Sequence, residues 1–273
     1  MRHLVTTLLL LAGAVCAQDA SVLMQYAARP NPLAGYAQRE NIIGFYDCRY
    51  ASGSGPLLNT DTNSRATWKD LSGYGRNLTL SSFNFTATNG WAADYSLAFN
   101  GANGTVTGLV SGCVSNYSVM VVVGRGGKTA LQILVETSEN INVNTGGSYI
   151  SLNQVNASNV LSSMQESGAV FYDYTAAQSL ATGQTYAVTL TLQSTNTGAK
   201  FGQTYIGTNS AVTVGSDGRN LTPMYNGVFY LGSRGGSQYF LLGRVYLVIM
   251  WNATLTASEV AANLAKARAE FGF

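Results

Sequence analysis

Two stretches constrain this chain more than any others: residues 119–123 (VMVVV) and 245–251 (VYLVIMW) carry no charged or strongly polar side chain. A strand with one face in water alternates apolar and polar residues, because successive side chains point to opposite sides. An unbroken apolar run therefore needs cover on both faces, and each run is far short of the ~20 residues that cross a bilayer. Stacked layers supply that cover, where one open sheet does not. Residues 185–192 show the complementary pattern. Tyr186, Val188, Leu190 and Leu192 fall on one face, and Thr185, Thr189 and Thr191 on the other. The expected fold class is all-β, a two-sheet antiparallel sandwich.

Further candidate strands are residues 41–46, 96–99, 117–123, 131–136, 149–152, 169–172, 202–206, 227–231 and 242–251. Glycine-rich segments such as Gly124-Arg125-Gly126-Gly127, Asn144-Thr145-Gly146-Gly147 and Ser233-Arg234-Gly235-Gly236 read as turns between them. One helix is well signalled. Thr256 and Glu259 have the spacing of a capping box, Val260, Leu264, Ala267 and Phe271 form one apolar stripe, and Gly272 ends it.

At the N-terminus Arg2 and His3 precede an apolar run over residues 4–15, and Val15-Cys16-Ala17 suits a cut after Ala17. Residues 1–17 read as a signal peptide. Residues 18–40, with Pro30 and Pro32, read as an N-terminal arm, and residues 41–273 as one sandwich domain. The expected location is secreted, extracellular or at the cell surface. Cleavage leaves Cys48 and Cys113. In an oxidising compartment they form one disulfide worth about 4 kcal/mol in the chain-entropy model, or else two separate buried thiols. Sequons at Asn77, Asn84, Asn103, Asn116, Asn156, Asn220 and Asn252 are glycosylation candidates marking solvent-facing turns if the source is eukaryotic.

The charge balance excludes several partners. Lys and Arg total 15, of which Arg2 leaves with the leader, against 13 Asp and Glu. No basic cluster exists to neutralise phosphates, so no nucleic acid is expected, nor a membrane span in the mature chain.

The segment Trp68-Lys69-Asp70-Leu71-Ser72-Gly73-Tyr74-Gly75-Arg76-Asn77 resembles the W-x-D-x-S-G-x-G-x-N segment of laminin-G-like (pentraxin-type) domains in the concanavalin A-like lectin/glucanase superfamily. Phe229-Tyr230-Leu231-Gly232-Ser233-Arg234, then Gly243-Arg244-Val245-Tyr246 running on to Leu255-Thr256-Ala257-Ser258-Glu259-Val260, is similar to that family's closing strand and capped terminal helix. The likeness runs from about residue 42 to the C-terminus and implies a jelly roll. Asp70 has a structural task available, accepting backbone N–H groups in the Ser72-Gly73 turn. Where family members often carry Asp-Tyr, this chain has Asn103-Gly104, which weakens an inherited calcium site. No cofactor is required, and calcium through Asp173 or Asp217 lacks a recognisable ligand loop.

The only histidine, His3, leaves with the leader, which removes Ser-His-Asp and Cys-His catalysis from the mature chain. Glycoside hydrolysis needs two flanking carboxylates, yet the superfamily's E-x-D-x-x-E strand motif is absent, and Glu136-Thr137-Ser138-Glu139 reads as a solvated turn. Binding is easier to accommodate, because sugars stack on aromatic faces and hydrogen-bond to Asn, Asp, Gln and Arg. Tyr172, Asp173 and Tyr174 have that composition, as do Trp91 with Asp94-Tyr95, and Arg234 with Gln238-Tyr239. Three readings follow: a non-catalytic module binding a glycan or surface ligand, a surface or matrix protein-interaction domain, and a cryptic polysaccharide hydrolase or lyase.

Overall fold

The structure is a computed structural model describing residues 31–109, 116–138, 148–153, 159–166, 170–194, 200–207, 210–213 and 227–273. The first strands are β1 (Ile42–Asp47), β2 (Thr67–Trp68), β3 (Leu78–Ser81), β4 (Gly90–Ala92), β5 (Ser96–Asn100), β6 (Thr105–Leu109), β7 (Asn116–Arg125) and β8 (Gln132–Ser138). They are followed by β9 (Ser148–Leu152), β10 (Asn159–Glu166), β11 (Val170–Ser179), β12 (Thr185–Ser194), β13 (Lys200–Ile206), β14 (Ser210–Thr213), β15 (Val228–Leu231) and β16 (Leu242–Trp251). One helix, α1 (Ala257–Phe271), closes the chain. Contacts divide it into two units, Met1–Ala34 and Gly35–Phe273, and every element named here belongs to the second.

The strands form two antiparallel sheets. The first runs β14-β13-β12-β7-β16-β5-β4, with β1 beside the second half of β16, and the second runs β11-β10-β9-β8-β15-β6-β3-β2. This is the expected β-sandwich. Its interior takes alternate residues of the central strands: Val119, Val121 and Val123 of β7, Val188, Leu190 and Leu192 of β12, facing Leu134, Ile150, Phe229 and Leu231 of the second sheet. The pairing register of β16 shifts between Val245 and Leu247, bulging Tyr246 out of the ladder. Val245, Val248 and Met250 therefore enter the interior, and Leu247, Ile249 and Trp251 take the outer face.

That outer face explains the unbroken apolar runs. Met120, Val122, Leu247, Ile249 and Trp251 are all buried there. The cover is α1, packed on β12, together with residues 36–38. Burying side chains such as Val260 and Leu264 contributes about 2 kcal/mol each. The capping box forms as expected between Thr256 and Glu259, and Gly272 ends the helix in the left-handed conformation. Thr189 and Thr191, which alternation alone assigns to a polar face, are buried in this layer.

Part of the expected arm belongs to the domain. Tyr36 packs edge-on to Phe45, the Ala37 N–H donates to Asn263 Oδ1 at 2.6 Å, and Trp251 Nε1 donates to the Ala37 carbonyl. The compact unit thus begins at Gly35, ahead of the expected boundary at 41. The signal-peptide segment, residues 1–17, lies outside the described residues. No described helix is long and apolar enough to cross a membrane.

The Asp70 loop is built as its sequence implies. Asp70 Oδ1 accepts from the Phe45 and Ser72 N–H groups, and Oδ2 from Ser72 Oγ and the Arg76 N–H, all within 3.1 Å. The Leu71 N–H in turn donates to the Phe45 carbonyl, so the loop covers the edge of β1 that faces away from β16. All four partners of Asp70 are donors, and an amide replaces one acceptor with a donor. Asp70→Asn is therefore expected to cost nearly as much as Asp70→Ala, about 2–3 kcal/mol in urea unfolding. Full rescue by asparagine would contradict this account of the loop.

Cys48 corrects one expectation. It is fully buried and free, and its thiol donates to the Val245 carbonyl at 3.2 Å. Cys113 lies outside the described residues. Burial pushes the Cys48 thiol well above its usual pKa, which leaves it inert.

Candidate functional site

The residues singled out in the sequence scatter. Trp91 is buried, its indole N–H donating to the Arg65 carbonyl at 2.8 Å and its ring meeting Trp68 edge-on, so it is a core residue rather than a ligand contact. The register of the second sheet separates the Tyr172, Asp173, Tyr174 trio. Asp173 stands in one cross-strand row with Ser163, Tyr149, Glu136, Tyr230 and Thr107. Tyr172 pairs across the ladder with Met164, and Tyr174 with Ser162.

Glu136 is a strand residue and not part of a solvated turn. It is buried on the outer face of the second sheet, where it accepts the Gly235 N–H at 3.2 Å and lies 3.9 Å from Arg234 Nε. Arg234 in turn stands over the Tyr149 ring. Arg234 and Tyr239 both belong to the β15–β16 connection, which Glu136 fastens to the sheet. Tyr239 is partly exposed, and its carbonyl accepts from the Ile133 N–H. Of the sequons, Asn77, Asn84, Asn116 and Asn252 are exposed. Asn103 is half-buried and accepts hydrogen bonds from Asn89 and Asn100. Asn156 and Asn220 lie outside the described residues.

A better-formed site lies on the outer face of the first sheet, beyond the C-terminal end of α1. There one cross-strand row reads Gly90, Ala98, Arg244, Gly124, Thr185 from β4 to β12. Arg244 rises from a row of small residues, and the space beside it is a cavity of about 370 Å³. Gly124, Gly126 and Gly243 were read as turn formers or strand residues. β7 in fact runs through Arg125, and the left-handed region holds neither Gly124 nor Gly126. Gly126 and Gly243 serve close approach: a Cβ on Gly126 would stand 2.5 Å from the Leu242 carbonyl oxygen, and one on Gly243 2.4 Å from that of Gly124, whereas one on Gly124 would meet nothing nearer than Tyr246 Cε2 at 3.4 Å. Glycine inside strand sequence is the signal that points to such a floor.

The rim is polar. Arg244 donates to Asp94 Oδ2 at 2.5 Å, the Tyr246 hydroxyl donates to the same oxygen at 3.2 Å, and Ser96 Oγ donates to Oδ1 at 2.6 Å. The β16 bulge brings Tyr246 to this rim, and its ring rests on Phe271 at the end of α1. Partial burial pushes the Asp94 carboxyl upward, but hydrogen bonds from Ser96 and Arg244 and the Arg244 charge outweigh it, so its pKa lies below the usual range. Burial and the neighbouring Asp94 raise the Tyr246 hydroxyl. At neutral pH the rim thus offers an ionised acceptor, a guanidinium and a protonated phenol. Arg244 and Asp94 are each more than 40% exposed, so the pair adds little to stability and is open to a ligand. Among the described residues no cluster of three or more His, Cys, Asp or Glu could hold a metal ion.

No family model and no curated protein matches the chain. Solved structures do. The Trypanosoma rangeli sialidase in complex with the inhibitor DANA superimposes with a TM-score of 0.53 at 14% identity, covering 82% of this chain and 32% of the sialidase. Domain 4 of an extracellular arabinanase from Geobacillus stearothermophilus, in complex with arabinotriose, gives 0.50 at 19%, covering 82% of this chain and 98% of that domain. The binding domain of botulinum neurotoxin DC in complex with SialylT gives 0.56 at 10%, covering 84% and 51%. At these identities the likeness establishes a shared β-sandwich fold. The chain spans about a third of the sialidase and half of the toxin domain.

Proposed function

We propose that this chain is a secreted, laminin-G-like lectin module that holds a glycan without cleaving it, and that the glycine-floored groove of the first sheet is its binding site. The observation that carries the reading is Arg244, with Asp94 and Tyr246, standing over a floor kept bare by Gly124 and Ala98. A guanidinium and a carboxylate give directional hydrogen bonds to sugar hydroxyls, the phenol adds a donor and an apolar edge, and the cavity falls in the size range of small-ligand sites. The three structural neighbours, whose structures contain a sialidase inhibitor, arabinotriose and SialylT, support a saccharide as the ligand class. Among the described residues Asp94 is the one carboxylate lining the groove, and its lowered pKa suits an acceptor rather than the protonated acid that glycoside hydrolysis requires.

The test is a glycan array probed with the wild-type chain and with Arg244→Ala. Loss of the charged donor is expected to weaken the best ligand about tenfold or more. No reducing ends are expected from the same glycans. Array binding that survives Arg244→Ala unchanged would move the site elsewhere, and release of reducing ends would restore the hydrolase reading.

A further inference from the structure

At the opposite end of α1, where β7, β12 and β13 meet the helix N-terminus, lies a second cavity of about 590 Å³. It is lined by Asn116, Thr191, Gln193, Gln203, Asn252 and Thr254, among others, and among the described residues every lining side chain is uncharged. Gln193 pairs across the ladder with Asn116, and Gln203 with Thr191, so Gln203 stands diagonal to Gln193 on the adjacent strand, about 7–8 Å away, a gap that one sugar residue can bridge.

These groups are held by the scaffold. The Tyr205 hydroxyl donates to Gln203 Oε1, which leaves the Gln203 NH₂ to donate elsewhere. Thr254 Oγ1 lies 2.6 Å from the Leu192 carbonyl oxygen and 3.2 Å from Asn116 Oδ1. Thr256 is engaged in the capping box. Side chains already fixed lose little freedom when a ligand arrives, which favours binding.

We infer that this cavity is a second saccharide site, selective for neutral sugars. The inference does not depend on the Arg244 groove. A phosphate, carboxylate or cation would meet no charged side chain among the described lining residues, and the α1 N-terminus beside it is already occupied by the Glu259 carboxylate, which accepts the Thr256 N–H at 2.8 Å. A neutral polyol meets interspersed amide donors and acceptors and hydroxyls that match its own, with no ion to desolvate. Asn116 and Asn252 also head sequons, so a glycan on either would stand at the mouth of the cavity.

The experiment uses the full chain produced in a host that attaches no N-linked glycans, titrated calorimetrically with neutral gluco-, manno-, galacto- and arabino-oligosaccharides. The comparison proteins are Gln193→Ala/Gln203→Ala and Arg244→Ala. At least one neutral oligosaccharide is expected to bind, to weaken about tenfold or more in the double variant, and to keep its affinity in Arg244→Ala. Both glutamines are half-buried surface residues, and matched melting temperatures check that the variant is folded. The inference is overturned if no neutral sugar binds. It is equally overturned if the double variant binds as wild type, or if neutral-sugar binding follows Arg244 alone. Failure of the Arg244 groove would show instead as an Arg244→Ala variant with an unchanged array profile.

Discussion

Replacing Arg49 by methionine is expected to destabilise the protein by about 3–5 kcal/mol at neutral pH, the range for removing one partner of a buried ion pair. Asp47, at the end of β1, is fully buried. The Arg49 backbone N–H and Nε reach Asp47 Oδ1 at 2.8 and 3.0 Å, and its NH2 group reaches Asp47 Oδ2 at 2.5 Å and Glu270 Oε2 at 2.7 Å. The guanidinium also lies 4.3 Å over the Phe271 ring. One cation thus joins the first strand to the last turn of α1. Methionine keeps the stem and leaves the Asp47 carboxylate buried without its cation.

The pH dependence follows with a definite sign. In the wild type, burial raises the Asp47 pKa and Arg49 only partly offsets it, whereas Glu270 is lowered because Lys266 and Arg49 outweigh its own burial. A lowered carboxyl gives stability that is present above its unfolded pKa and lost as pH falls through the folded value; a raised one penalises the fold as pH rises through it. Without Arg49 both carboxyls move upward, so the variant is penalised most at neutral pH and relieved as they protonate. Urea unfolding at pH 7 and near pH 4, about the carboxylate range, should show the gap between wild type and variant narrowing in acid. An equal gap at both values would mean that lost packing on Phe271, and not the stranded charge, causes the effect.

What the sequence disclosed tracks how local each cause is. The β12 stripe of Tyr186, Val188, Leu190 and Leu192, the Thr256–Glu259 cap and the limits of β16 are set by neighbouring residues, and all three are found as read. The candidate strands do not include β2, β3, β4, β6, β10 or β14. β3 is four residues long, β6 carries Gly108 in its interior, and β10 carries two serines, a glutamine and a glutamate, so their pairing comes from partners far along the chain. The same distinction governs the sites. Trp91, Asp94 and Tyr95 attracted notice as a sugar-like composition, yet the strand geometry sends Trp91 into the core and leaves Asp94 on the rim, where a residue 150 positions later completes the pair. The amide cavity had no local signature, since Asn116, Gln193, Gln203 and Asn252 come from four segments brought together by the sheet and the turn after it.

The glycine floor offers the sharpest separation of binding from folding. Gly124→Val is expected to abolish measurable glycan binding at the Arg244 groove while changing stability by no more than about 1 kcal/mol. The atoms nearest a Cβ on Gly124 would be Tyr246 Cε2 at 3.4 Å, Thr185 Oγ1 at 3.6 Å and the Tyr246 hydroxyl oxygen at 3.6 Å, ordinary contacts with the groove's own walls. The branched side chain suits a strand, and its methyl groups fill the space between Thr185 and Tyr246 that a sugar would occupy. Gly243, on the strand beside it, gives the opposite result from the same substitution. Its Cβ would stand 2.4 Å from the Gly124 carbonyl oxygen and 3.3 Å from the Gly126 nitrogen, both backbone atoms, so β16 and β7 must part to admit it. Gly243→Val is expected to lose about 3 kcal/mol or more through overpacking. The pair thus distinguishes a glycine that keeps a site open from one that lets two strands approach. A folded Gly124→Val that binds glycans like the wild type would show that the groove is an incidental hollow and that the ligand sits elsewhere.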